Sequence, residues 1–156
     1  MIKVTLKDGS VKEFESGITA MEVAKSLGMG LYKAACVSKI NGEVKDLRTP
    51  LTEDCSLEIL TFEDPDGKWA LRHTASHILA QAVKRLYPEA KLAIGPAIDN
   101  GFYYDFDVDV PFTPDVLEKI EAEMKKIVKE ALPLEKYELD PDEAIKLMQE
   151  KNEPFK

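Results

Sequence analysis

With 156 residues, 44% of them apolar, the chain has material for one ordinary core or two small ones, so length leaves the domain count open. Its net charge of −8 is uneven: residues 1–62 carry 8 basic and 9 acidic side chains, residues 63–156 carry 13 and 20. Neither part has the basic stripe of an autonomous nucleic-acid binder, so any RNA contact must be local or supplied by other parts.

Ile2-Lys3-Val4-Thr5-Leu6 alternates apolar and polar, Lys7-Asp8-Gly9-Ser10 supplies a turn, and Val11-Lys12-Glu13-Phe14 alternates again, which predicts a hairpin. Thr19-Ala20-Met21-Glu22 is a capping box opening a helix through Leu27, with Gly28 as a left-handed stop. Ala35-Cys36-Val37 and Glu43-Val44 flank the turn dipeptide Asn41-Gly42, and Ser56-Leu57-Glu58-Ile59-Leu60 closes the region as a strand. Hairpin, helix, short strands and final strand in about 60 residues suit a β-grasp sheet with one helix packed across it. Cys36 and Cys55 stand 19 residues apart without a Cys-x-x-Cys partner, so they are expected to be buried reduced thiols rather than a metal site. Nothing at the N-terminus reads as a signal peptide and no apolar run reaches membrane-spanning length, so a cytoplasmic protein is expected.

Glu63-Asp64-Pro65-Asp66-Gly67 is charged and turn-rich, which marks a linker between a unit at 1–62 and a second at 68–156. A helix is expected from Trp69 to Tyr87. It carries the chain's only two histidines, His73 and His77, four residues apart. That spacing puts both imidazoles on one face, one turn apart, with Ala70, Ala80, Gln81 and Lys84. Leu71, Ala75, Ile78, Leu79, Ala82, Val83 and Leu86 form a packing stripe on the other side. Small alanines beside the histidines suggest a cleft floor; by spacing alone, a site and bland surface positions are about equally good readings.

Lys91 to Ile98, the turn Asp99-Asn100-Gly101 and Phe102 to Phe106 read as strand, turn, strand. Thr113-Pro114-Asp115 starts a helix to about Ala131, whose Lys119, Lys125, Lys126 and Lys129 are expected to be its solvated face. Pro133 stops it, Leu134 to Leu139 alternates as a strand, and Asp140-Pro141-Asp142-Glu143 caps a last helix to about Glu150.

Two motifs in order, Arg72-His73-Thr74-Ala75-Ser76-His77 and Ala93-Ile94-Gly95-Pro96-Ala97-Ile98-Asp99-Asn100-Gly101-Phe102-Tyr103-Tyr104-Asp105, are similar to the editing-domain signature of bacterial-type threonyl-tRNA synthetases. The chain resembles the N-terminal part of that family along essentially its whole length, and the first unit resembles its TGS domain. The resemblance implies an α+β protein: a β-grasp TGS domain at 1–62, a linker at 63–67, and the start of a tRNA-editing domain at 68–156. It implies that the second unit serves to hydrolyse serine mistakenly joined to the threonine tRNA. His73 and His77 then correspond to editing-pocket histidines, Lys156 to a lysine pointing into the pocket, and Gly95, Pro96 and Tyr104 to residues holding the terminal adenosine and the seryl ester.

In that family the aminoacylation core, with its ATP, magnesium and zinc, lies beyond the position matching residue 156, as do the homodimer contacts and a further Cys-x-x-x-His element. The 156 residues alone are therefore expected to be inactive, to bind tRNA weakly, and to hold no metal. The alternative is a TGS-type RNA or regulatory interaction module without catalysis. A sulfur-carrier protein would need a terminal Gly-Gly, and a free-standing deacylase the Cys-x-x-x-His element.

Overall fold

Alternation in Ile2–Leu6 (β1) turns Ile2 and Val4 to one face, where both are buried, and the chain returns as Val11–Phe14 (β2), antiparallel to β1. The computed structural model describes all 156 residues. They fall into two compact units, Met1–Leu71 and Arg72–Lys156.

In the first unit, Ile18–Thr19 (β3) leads into the expected capping box. The Glu22 amide donates to Thr19 Oγ1 at 3.2 Å and the Thr19 amide to Glu22 Oε2 at 2.8 Å, opening Ala20–Leu27 (α1). Gly28 ends this helix, but with extended backbone (φ 159, ψ 144) rather than a left-handed stop, because it also serves as the N-cap of a second helix, Met29–Ala34 (α2). Ala35–Ile40 (β4) and Glu43–Lys45 (β5) pair across Asn41-Gly42, whose φ values of 50 and 84 are what a tight hairpin turn requires. Pro50–Leu51 (β6) pairs with β3, and Cys55–Thr61 (β7) lies parallel to β1 and antiparallel to β4.

The resulting five-stranded order is β2-β1-β7-β4-β5, with Ala20 and Val23 of α1 packed among Ile2, Val4, Leu51 and Leu57. The expected β-grasp arrangement is present. Cys55 belongs to that core, whereas Cys36 is only half-buried, since the β4–β7 register shifts between Ala35 and Val37 and turns it out of the regular pleat. Burial pushes both thiols above their ordinary range.

The stretch expected to be a linker is mostly helix. Pro65–Leu86 (α3) starts inside it: the Asp64 carbonyl accepts the Lys68 amide at 2.9 Å, and the Asp64 carboxylate accepts the Thr61 amide at 2.9 Å. Aspartate before a proline at the first helical position is an N-terminal signal that outweighs the turn-like composition. Gly67 has a packing reason, because a Cβ there would lie 1.9 Å from the Thr61 carbonyl oxygen. The division between units falls within α3, at Leu71 and Arg72, rather than before Lys68.

In the second unit the expected single hairpin is interrupted. Ala97–Ile98 (β9) pairs with Gly101–Phe102 (β10) around the turn, and Lys91–Leu92 (β8) pairs with Phe106–Asp107 (β11). Between the two ladders, Ala93 and Asp105 keep contact through Ala93 N–H to Asp105 O (3.0 Å) and Asp105 N–H to Ile94 O (2.8 Å). Pro96 has no N–H to contribute, so the ladder breaks there.

Pro114–Glu130 (α4) buries Ile120 and Ile127 against Ala82 and Val83 of α3 and Ala90, forming the unit's core. Its lysines are exposed as expected, Lys125 pairing with Glu121 at 2.6 Å and Lys126 with Glu123 at 3.0 Å. Leu134 to Leu139 is not a strand: the segment belongs to none of the ladders, and Leu134 and Tyr137 remain exposed. Asp140 caps Pro141–Glu150 (α5), accepting the Asp142 amide. No helix is long and apolar enough to cross a membrane.

Candidate functional site

The four-residue spacing on α3 brings the histidine rings together edge-on, with centroids 4.7 Å apart and Nε2 atoms 3.0 Å apart. Two ring nitrogens at that distance share one proton: one carries it and the other accepts. Burial first, then the charge of His73, then that of Lys156, hold His77 below its ordinary value of 6.5. Near neutrality His77 is an uncharged imidazole, able to take a proton.

The packing stripe expected on α3 is only part of what the helix buries. Ala82 and Val83 pack as the stripe predicts, here against α4, but Leu71 is exposed, and Ser76 and Ala80 are buried on the side of the histidines. Ser76 is fully buried because its Oγ bridges the His73 carbonyl (2.7 Å) and the Gly95 carbonyl (3.0 Å), joining α3 to the break between β8 and β9. Arg72 also reaches across, donating to the carbonyls of Ile98 and Asp99. Tyr104 lies so close on Gly95 that a Cβ there would meet its Cδ2 at 2.0 Å, and on its own strand side Tyr104 stacks on Phe106 with centroids 4.8 Å apart.

Lys156 completes the group. Its ammonium donates to the Ala93 carbonyl at 2.6 Å and the Tyr104 hydroxyl at 3.0 Å, and stands 5.2 Å from the centre of the Tyr104 ring. An open cavity of about 730 Å³ is lined by His77, Gln81, Lys84, Tyr104, Glu153 and Lys156, among others. Of the residues singled out from sequence, His77, Tyr104 and Lys156 face this cavity, His73 abuts His77, and Gly95 supports Tyr104. Pro96 does not line it; its carbonyl accepts the Tyr103 amide at 3.4 Å, a place in the strand break rather than in the cavity wall.

Two neighbours were not singled out as site residues from sequence. Glu153 is buried, and its carboxylate accepts Lys84 Nζ at 2.8 Å and the Leu92 amide at 2.9 Å. Burial works to raise its pKa, but the Lys84 and Leu92 hydrogen bonds and the charges of Lys84 and Lys156 hold it below the usual 4.5. The available signals were weak: Lys84 sits seven residues past His77 on the same face, and Glu153 precedes Lys156 by three. No three His, Cys, Asp or Glu side chains gather in the chain as a cation site.

Residues 2–61 match the TGS domain family. Over all 156 residues the chain is 67% identical to a threonine–tRNA ligase of Clostridium botulinum (strain Hall) and 64% identical to one of Acetivibrio thermocellus. In both cases the match covers 100% of this chain and 25% of the relative, so the chain spans a quarter of the length of these curated relatives.

Proposed function

We infer, from a chain that belongs along its whole length with the threonine–tRNA ligases and carries their TGS domain at residues 2–61, that its second unit supplies the hydrolytic wall of an editing site. The reaction proposed is removal of serine from mischarged threonine tRNA. Serine is threonine without a methyl, and a missing methyl is worth only about 1–3 kcal/mol of discrimination in a binding pocket, so a ligase for threonine gains from a second, hydrolytic selection. The whole enzyme would join threonine to its tRNA with ATP in the cytoplasm, using regions other than these 156 residues.

The observation that carries the reading is the histidine pair, its Nε2 atoms 3.0 Å apart, beside the Lys156 ammonium at the rim of one cavity. Hydrolysis of the seryl ester needs a water to attack the carbonyl carbon, a base for the water's proton, and a donor for the oxyanion that develops. The pair His73 and His77 accepts the proton or orients the water, and returns a proton to the ribose oxygen as the ester bond breaks. Lys156 stabilises the oxyanion. Tyr104, fixed against Gly95 and Phe106, offers a ring face and a hydroxyl to hold the terminal adenosine.

The test uses a full-length threonine–tRNA ligase carrying these residues. His73→Ala and His77→Ala should each slow deacylation of seryl-tRNA roughly 100-fold or more while threonylation stays near wild type. Equal loss of both rates would make the histidines structural, and undiminished deacylation would remove them from the reaction.

A further inference from the structure

Lys156 Nζ has only two hydrogen-bond acceptors in the structure, a carbonyl and a phenol, and neither carries a charge to hold an ammonium against solvent. Its backbone is held differently. The Lys156 amide donates to the Glu153 carbonyl at 3.3 Å, and the Glu153 amide to the Met148 carbonyl at 2.9 Å, so Glu153 to Lys156 forms one turn hung from the end of α5. The only buried side chain in that turn is Glu153, and all its bonds run away from α5: to Lys84 on α3 and to the Leu92 amide, one residue before the Ala93 carbonyl that receives Lys156. Lys84 in turn donates to the carbonyls of Pro88 (3.0 Å) and Ala90 (2.8 Å), which fixes its ammonium where α3 ends.

We propose that Glu153, clamped between Lys84 and the Leu92 amide, is the positioning residue that sets Lys156 beside His77. The function assigned to Lys156 rests on the hydrolytic reading above, but the placement does not, and the two can be tested separately. A buried carboxylate with an ammonium and an amide on it resists displacement, since moving it would strand a buried charge. Freed from that anchor, the turn carries Lys156 out toward water.

Placement is read from the only two histidines of the chain, whose ring-proton resonances can be followed in the 156-residue protein as a function of pH. Lys156→Ala removes a charge that holds His77 down, so the His77 midpoint should rise, and that rise sets the scale. Glu153→Gln should reproduce most of it. The sign is diagnostic, because loss of a nearby carboxylate by itself would lower the midpoint. In the double variant Glu153→Gln with Lys156→Ala, no rise beyond that of Lys156→Ala should remain.

Glu153→Asp, which keeps the charge but draws it back by one methylene, is the milder variant should Glu153→Gln not fold, and a smaller rise is expected from it. An unchanged or lowered midpoint in whichever of these two variants folds overturns the proposal, as does an unmoved midpoint in Lys156→Ala. In the full-length ligase, Glu153→Gln should reduce kcat for seryl-tRNA deacylation roughly 10- to 100-fold with KM little changed, as expected for a displaced group in the reaction. If the midpoint rises and deacylation is unaffected, the placement stands and the hydrolytic reading of Lys156 falls.

Discussion

The two units put regularity to opposite uses. In Met1–Leu71 the backbone is spent on a five-stranded sheet whose core takes Leu57, Val4 and Val23 almost wholly out of water, and a cavity beside it, at Ile40, Leu51 and Cys55, is small, about 110 Å³. In Arg72–Lys156 the ladders are two residues long, the strand between them breaks at Gly95-Pro96, and two polar side chains, Ser76 and Glu153, are buried, against Ser38 alone in the first unit. Gly95, Ser76 and Glu153 each touch the histidine cavity or its supports. The lesson is local: the sheet uses most of its carbonyls in its own ladders, with the edge carbonyl of Lys45 taken by Ser38, whereas the broken hairpin leaves the Ala93 and Gly95 carbonyls for Lys156 and Ser76.

The contrast can be broken in the first unit. Leu57→Ala empties a position that is 1% exposed and should cost about 2–5 kcal/mol of that unit's stability in a denaturant titration followed by the single Trp69. The His73 and His77 resonances should stay at their wild-type positions under conditions where the first unit has melted; simultaneous collapse would make the chain one cooperative body. Gly95→Ala attacks the second unit where it is irregular. The added methyl must displace the Tyr104 ring, at a cost of about 1–3 kcal/mol, and seryl-tRNA deacylation by the full-length ligase should fall with threonylation retained. Normal deacylation would show that the close approach of Tyr104 to Gly95 is dispensable.

A smaller effect is expected at the capping box. Thr19→Ala should lose about 0.5–2 kcal/mol from the first unit. Hydrogen bonds from the Thr19 amide and then its hydroxyl hold Glu22 below its ordinary 4.5. Its contribution is therefore complete above pH 4.5 and is lost as pH falls through the lowered value. The gap between wild type and Thr19→Ala in thermal melts should narrow on acidification; a gap independent of pH would mean that the carboxylate is not part of the cap.

What the chain's pattern revealed divides along the same line. Period-two alternation in Ile2–Leu6, the Asn41-Gly42 turn and the Thr19–Glu22 box are each decided by neighbours in sequence, and all appear as read. The histidine pair was legible for the same reason, since one helical turn fixes it. Alternation in Leu134 to Leu139 misled because a strand also needs an edge to pair with, which no local pattern encodes. The linker reading failed where composition was weighed over position: Asp64-Pro65 is a helix start, and Gly67 is there for Thr61 rather than for flexibility. Glu153 and Lys84 meet across 69 residues of chain, so only the folded unit brings them together.

The central claim is that His73 and His77 act on one water as a single unit, and a double-variant cycle on seryl-tRNA deacylation in the full-length ligase tests it most directly. Because the two rings share one proton across 3.0 Å, removing either should abolish what both provide. His73→Ala, His77→Ala and the double variant should then lose deacylation to about the same extent. Losses that multiply would mean the histidines work independently, and a double variant that still deacylates at the wild-type rate would contradict the account.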